Sequence, residues 1–223
     1  MFLEIPDILT PPEIERLRQA AKVARFVDGR TTNAHSPVKN NTQLDYNDPN
    51  YRPTAQLLHA ALTRSEELRN FAFPKVIAPP LLTRTGVGMN YGAHSDAPFM
   101  NIGQPRMLRS DLSCTIFLGD PTTYEGGELS IQLGARGIDI KLPPGGAVVY
   151  PSTTLHQVKP VTSGERLVAI TFIESQIVDQ NHRELLYELN EVLALEGFNV
   201  SWENRTRLSH VSSALHRMWG TSG

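Results

Sequence analysis

Between Val76 and Ser175 the chain advances in short β-rich runs divided by Gly and Pro turns: "LLTRTGVGMNYG", "DLSCTIFLGD", "GGELSIQL", "GIDIKL", "GAVVYP", "LHQVKPV" and "RLVAITFIES". No other feature restricts the fold as much. Strands at that spacing can bury one face each only by pairing into a sandwich or a barrel. In "DLSCTIFLGD", Leu112, Cys114, Ile116 and Leu118 share one phase of a period-2 pattern, while Ser113, Thr115 and Phe117 share the other.

Helical periodicity flanks this block on both sides. Thr10 to Phe26 opens with Thr-Pro-Pro-Glu, which supplies a cap, a pre-set first turn and a glutamate able to reach back to the cap. Ile14, Leu17, Ala21 and Ala24 then recur at helical spacing. Leu57, Leu58, Ala61, Leu62 and Leu68 predict a second helix over about Thr54 to Asn70. After Ser175 the same period returns in "NHRELLYELNEVLALEG" and "RTRLSHVSSALHRMW". Helices, then strands, then helices predict a mainly β (α+β) fold and argue against a doubly wound sheet, in which the two alternate. The expected organisation is a single domain over 1–223: N-terminal helices and a long loop (1–75), a β core (76–175) and C-terminal helices (176–223).

Within the first part, "DGRTTNAHSPVKNNTQLDYNDPNYRP" reads as a long irregular segment. From Val27 to Pro53 it is a candidate lid or substrate wall, with Lys39, Asn40 and Asn41 its chemically active members. A structural loop held by its own polar contacts fits the sequence equally well.

Composition narrows the class of partner. Hydrophobic residues make up 40%, charged residues 20%, and the formal net charge is −2, which leaves no basic footprint for nucleic acid. The lone Cys114 cannot form an internal disulfide and reads as a buried small hydrophobe, which fits a reducing compartment. The first residues carry acids and prolines instead of a basic and then apolar leader, and no run reaches the ~18 apolar residues of a membrane span. A cytoplasmic protein without nucleic-acid or membrane partners is the expectation. No G-x-G-x-x-G or P-loop pattern opens a helix.

The seven histidines sort by setting. His59, His182, His210 and His216 fall in helical segments with no pair at the i, i+4 spacing of a shared metal, and His35 lies in the polar loop. His94 and His156 belong to the β core. In "NYGAHSDAPF", side chains two apart on a strand point the same way, so His94 and Asp96 can converge while Ser95 faces elsewhere. With His156 they supply two imidazoles and one carboxylate, the ligand set of the facial triad that holds Fe(II) on one side and leaves positions open. Arg166 follows in "TSGERLVAITFIES", in phase with Val168, Ile170 and Phe172. It is either a strand-end arginine reaching solvent or an inward one, and an inward arginine requires an anionic partner. A ligand carboxylate would meet that requirement through a bidentate fork.

The array H-x-D, a distal histidine and an arginine after it resembles the iron and 2-oxoglutarate-dependent dioxygenases of the prolyl-hydroxylase type, and most closely the bacterial PKHD-type hydroxylases. The likeness runs through "FVDGR" (26–30), "VKNN" (38–41), "YGAHSD" (91–96), "DLSCTIFLGDP" (111–121), "YEGGEL" (124–129), "KLPPGGAVVYPSTTLH" (141–156) and "PVTSGERL" (160–167).

This resemblance implies a double-stranded β-helix, or jelly roll, with His94, Asp96 and His156 as iron ligands and Arg166 on the distal carboxylate of 2-oxoglutarate. Tyr91 resembles a tyrosine that adds a hydrogen bond to that carboxylate. Val168 stands where many relatives have a second hydroxyl donor, which strengthens the reading of Tyr91. Arg84 and Thr115 resemble family positions near the cosubstrate, with no contact assigned to either.

The implied cofactors are Fe(II), 2-oxoglutarate, O2 and L-ascorbate. The implied reaction is hydroxylation of an unactivated C–H, with 2-oxoglutarate converted to succinate and carbon dioxide. The substrate would be a small molecule or a peptide, such as a prolyl residue or an iron-uptake-related metabolite. Asp96 favours hydroxylation over halogenation, which needs the carboxylate's place free for chloride.

Two rivals share the histidines. A cupin-like metal- or small-molecule-binding jelly roll without turnover would not need Arg166, and a zinc hydrolase would need a general base, for which Glu125 and Glu128 are the candidates. Leu185, Leu186, Leu189, Val192 and Leu193 form an apolar stripe expected to pack on the β core or on a second copy of the chain, as a homodimer.

Overall fold

The computed structural model describes residues 1–32, 37–103, 105–196 and 199–221. His35 lies outside the described residues. The N-terminal third runs β1 (Leu3–Ile5), α1 (Pro11–Val23), β2 (Phe26–Asp28), a 3-10 turn (Gly29–Thr32), β3 (Lys39–Asn40), β4 (Thr42–Leu44), α2 (Tyr51–Arg64) and α3 (Glu66–Ala72). The central part follows as β5 (Pro74–Ile77), β6 (Leu81–Thr85), β7 (Asn90–His94), β8 (Phe99–Met100), β9 (Leu108–Arg109), β10 (Leu112–Phe117), β11 (Glu125–Gly126) and β12 (Leu129–Leu133). It continues through β13 (Arg136–Ile140), β14 (Ala147–Pro151), β15 (His156–Val158), β16 (Val161–Ser163) and β17 (Arg166–Ser175), and α4 (Gln180–Glu196) and α5 (Trp202–Trp219) end the chain.

Two antiparallel sheets form the core. The larger has the order β1-β14-β10-β17-β6-β4-β2, with β5 also on β17, and the smaller has the order β13-β12-β15-β7-β3. This is the jelly-roll arrangement with helices at both ends of the chain. Alternation along the strands decides what each face meets. Leu112, Cys114, Ile116, Ala147, Val149, Leu167 and Ala169 join Leu17, Leu58, Leu62 and Leu68 in one core cluster between the larger sheet and α1 to α3. The opposite phase, Phe117, Val148, Tyr150 and Val168, meets Leu129, Ile131 and Ile140 of the smaller sheet. Ser113, Thr115 and Arg166 share that inner phase, so the strands carrying the outer core also deliver polar groups to the interior.

Three expectations change. The predicted helix over Thr54 to Asn70 is two helices: Ser65 ends α2 in an extended conformation, and its hydroxyl caps α3 by accepting the Leu68 N–H at 3.2 Å. Phe73 ends α3 with φ of 44°. The segment 27–53 is not irregular throughout. β2 and β4 extend the larger sheet, and β3 pairs with β7 at the edge of the smaller one. Asn41 is therefore the step between two sheets, and its backbone carbonyl accepts the Gly29 N–H at 2.9 Å. Finally, the stripe on α4 is covered only in part. Of its members only Leu186 is buried, against Phe73 and Ile177, while Leu185 and Val192 are exposed. Tyr187 meets Phe71 edge-on at 5.2 Å, so α4 rests on α3. Among the described residues, no helix is long and apolar enough to cross a membrane.

Candidate metal centre

β15 lies beside β7, and the register sets His156 directly opposite His94. Cross-strand partners on one face bring their side chains together, and the two imidazole centroids are 4.3 Å apart. Each ring is held by its own turn: His94 Nδ1 lies 2.7 Å from the Gly92 carbonyl and His156 Nδ1 lies 3.0 Å from the Thr154 carbonyl. A carbonyl only accepts, so both Nδ1 atoms carry the proton and both Nε2 atoms present a lone pair to the cleft. Burial, and next the neighbouring His156, push the His94 pKa down, which favours the neutral, metal-ready imidazole.

Asp96 completes the group. Its carboxylate oxygens stand 3.8 Å from His94 Nε2 and 3.6 Å from His156 Nε2, beyond hydrogen-bond range. Donor atoms of the three residues all lie within 4.8 Å of one another, and among the described residues this is the one such cluster. β7 ends at His94, so Asp96 is not on the strand, and the strand-alternation argument for it is corrected. Its position comes from the loop: the Asp96 N–H donates to the Ser152 carbonyl at 3.1 Å, and Asp96 Oδ2 accepts from the Ser113 hydroxyl at 2.5 Å.

Arg166 opens β17 and is 3% exposed, which excludes the solvent-reaching alternative. Its guanidinium sits 5.6 Å from the Phe117 ring centroid, and its Nε is buried with no hydrogen-bond partner among the described residues. Burial lowers its pKa to about 10, so it remains a cation at neutral pH. The "GGEL" glycines belong to this geometry. Gly127 has φ of +67°, and a Cβ there would come within 3.1 Å of Arg166 Cδ and 2.9 Å of Val161 Cγ2.

Tyr91 stacks on His94 with centroids 3.6 Å apart and an interplanar angle of 16°. One cleft is lined by His94, Asp96, His156, Arg166 and Tyr91 together. Thr115, Tyr150, Lys39 and Asn41 line it as well. Arg84 does not: it is an inter-element clasp, stacked on Phe26 at 4.1 Å and bonded to the Ala21 carbonyl. Glu125 and Glu128 are also absent from the lining, which leaves the zinc-hydrolase reading without its base. Ser113, Ser152 and Tyr150 are site residues that the motif reading passed over. A serine on the inner phase of an otherwise apolar strand was the signal for the first.

Two imidazole nitrogens, one carboxylate and a buried arginine with no ion pair among the described residues fit a divalent iron with an anionic cosubstrate. Comparison with known proteins decides the family. Over 98% of this chain and 99% of the relative's length, the sequence is 48% identical to a PKHD-type hydroxylase of Sphingopyxis alaskensis. The chain belongs to the PKHD-type hydroxylases.

A PKHD-type hydroxylase of Thermosynechococcus vestitus is 40% identical over 98% of this chain and 99% of its own. Residues 80–174 match the profile of the 2OG-Fe(II) oxygenase superfamily. PKHD-type hydroxylases are thus enzymes that use Fe(II) and 2-oxoglutarate, and this chain is one of them. In fold the chain is similar to a Trichoplax adhaerens prolyl hydroxylase solved with a hypoxia inducible factor peptide fragment. That likeness has a TM-score of 0.56 and 15% identity, covering 82% of this chain and 86% of the other. It is similar as well to a viral collagen prolyl hydroxylase from Paramecium Bursaria Chlorella virus-1, with a TM-score of 0.53 and 16% identity, covering 78% and 95%. At these identities the likeness concerns the fold alone.

Proposed function

We propose that His94, Asp96 and His156 hold the iron, that Arg166 and Tyr91 hold the distal carboxylate of 2-oxoglutarate, and that the enzyme hydroxylates an unactivated C–H of a prolyl peptide or an iron-uptake-related small metabolite. The observation that carries this reading is the buried guanidinium of Arg166 in the same cleft as the three converging donors. Its desolvation is costly unless an anion joins it, and a dicarboxylate can give one carboxylate to Arg166 and turn its other end toward the triad. Bound there, Fe(II) with 2-oxoglutarate and dioxygen supplies the oxidising power that turns C–H into C–OH as the cosubstrate becomes succinate and carbon dioxide.

The protein residues do the rest by placement. The Gly92 and Thr154 carbonyls fix the histidine tautomers. Arg166 would orient the cosubstrate through its guanidinium N–H groups, and the Tyr91 hydroxyl would add one more donor. Lys39 and Asn41, carried in from the edge of the sheets, form the wall on the Tyr91 side, where Lys39 lies 5.6 Å from the Tyr91 ring centroid.

Succinate release, screened with Fe(II) and 2-oxoglutarate against prolyl peptides and iron-chelating metabolites, tests the reading, with Asp96→Ala as blank. Arg166→Ala should raise the 2-oxoglutarate requirement by roughly 100-fold, the worth of a bidentate charged contact, while leaving Fe(II) affinity nearly intact. Equal loss of both would show that Arg166 only supports the fold.

A further inference from the structure

Asp96 is the one member of the triad that no strand holds, yet its backbone N–H and its carboxylate are each tied. Ser152, just past the end of β14, accepts the Asp96 N–H through its carbonyl at 3.1 Å. Its hydroxyl lies 2.7 Å from the Ser113 hydroxyl, which in turn lies 2.5 Å from Asp96 Oδ2. The Ser152 N–H donates to the Asp111 carbonyl at 3.1 Å, so the clamp is anchored at the start of β10. Ser113 and Ser152 are 3% and 2% exposed.

The direction of the chain follows from proton counting. An ionised carboxylate only accepts, so Ser113 spends its single hydroxyl proton on Oδ2. Ser113 must then receive from Ser152, giving Ser152 O–H to Ser113 O–H to Asp96. Oδ2 of Asp96 thereby carries a short charge-assisted bond while lying 3.6 Å from His156 Nε2, and Oδ1 lies 3.8 Å from His94 Nε2, so the bond fixes the carboxylate with one oxygen toward each histidine.

We infer that Ser113, backed by Ser152, is a positioning residue that holds the Asp96 carboxylate turned toward His94 and His156, in the place where it can bind the metal. This rests on the proposal that Asp96 binds the metal. Without the Ser113 hydroxyl, the bond from the Asp96 N–H to the Ser152 carbonyl still places the backbone of the loop after β7, but the carboxylate is free to turn about its own side-chain bonds.

The test titrates the whole protein with Mn(II), an air-stable stand-in for Fe(II), counting free Mn(II) by electron paramagnetic resonance. Ser113→Ala should bind Mn(II) about 10–100-fold more weakly, the usual loss when a partner behind a metal ligand is removed. Ser113→Thr, which keeps the hydroxyl, should recover most of that affinity, and Ser152→Ala should show a smaller loss in the same direction. Wild-type affinity in Ser113→Ala overturns the clamp, as does a folded Ser113→Thr that binds no better than Ser113→Ala. If Ser113→Thr does not fold, an unchanged affinity in Ser152→Ala overturns it instead. Asp96→Ala separates the two levels: should it bind Mn(II) as the wild type does, the ligand assignment fails, and the clamp with it.

Discussion

Substitution can separate what the Tyr91 ring does from what its hydroxyl does. Its ring lies flat on the His94 imidazole at 3.6 Å, and its hydroxyl is the part proposed to meet the cosubstrate. Tyr91→Phe keeps the stack and loses a hydrogen bond to a carboxylate, worth about 1.5–3 kcal/mol, so the 2-oxoglutarate requirement should rise about 10–100-fold with metal affinity unchanged. Tyr91→Ala removes the stack as well and should also weaken metal binding. A wild-type 2-oxoglutarate requirement in Tyr91→Phe would remove the hydroxyl's role; titrating metal and cosubstrate separately measures this. Single residues were legible in the sequence to different degrees. His94 and His156 stood out because imidazoles in a β core need a reason. Asp96 was found by spacing, although its position depends on Ser152 and Ser113, two ordinary serines 56 and 17 residues away in a pairing that no local pattern announces.

At the scale of elements, local signals were read well and distant partners were not. The Thr10-x-x-Glu13 cap is present, with the Thr10 N–H donating to Glu13 Oε2 at 2.8 Å. The sequence could not show that the same carboxylate clasps Arg64 at the end of α2, 51 residues on, and so pins α1 to α2. The Arg64 contact first, and then the Thr10 donors, hold the Glu13 pKa down at about 2 against burial, which opposes them. A depressed carboxylate pKa gives stability that is present above the unfolded value near 4.5 and lost as pH falls through about 2. The thermal midpoint of Glu13→Gln should therefore trail the wild type at pH 5, and the gap should close toward pH 2. A gap that stays constant over that window would mean that the clasp is not ionic. β2, β3 and β4 were missed because strands of two or three residues carry no period; β6 and β7 impose their pairing.

Across the whole molecule the two ends of the chain are held unequally. The strand rhythm from Val76 to Ser175 was enough to foresee two packed layers, because the phase of each strand is written in its side chains. The docking of the C-terminal hairpin was not, because its apolar stripe names no surface. In the structure α5 buries Ser212 alone among its described residues and is attached through Leu215 and Trp219 to a small cluster with Phe73, Ile177 and Leu186. His182 stacks on Trp219 at 4.1 Å, and the Thr221 N–H reaches the Gln176 carbonyl at 2.9 Å. Cys114, by contrast, lies on β10 between β14 and β17 with its thiol pKa pushed up to about 12 by burial. Its thiolate can form at ordinary pH only when the larger sheet opens. Opening should accordingly proceed in two tiers. Amides of α5 should exchange by local release of the hairpin, while those of β10 and β17 should exchange with the same free energy as Cys114 labelling by a thiol reagent across a denaturant series. If α5 amides proved as protected as those of β10, the hairpin would be part of the cooperative core and the weak attachment read from its burial would be wrong.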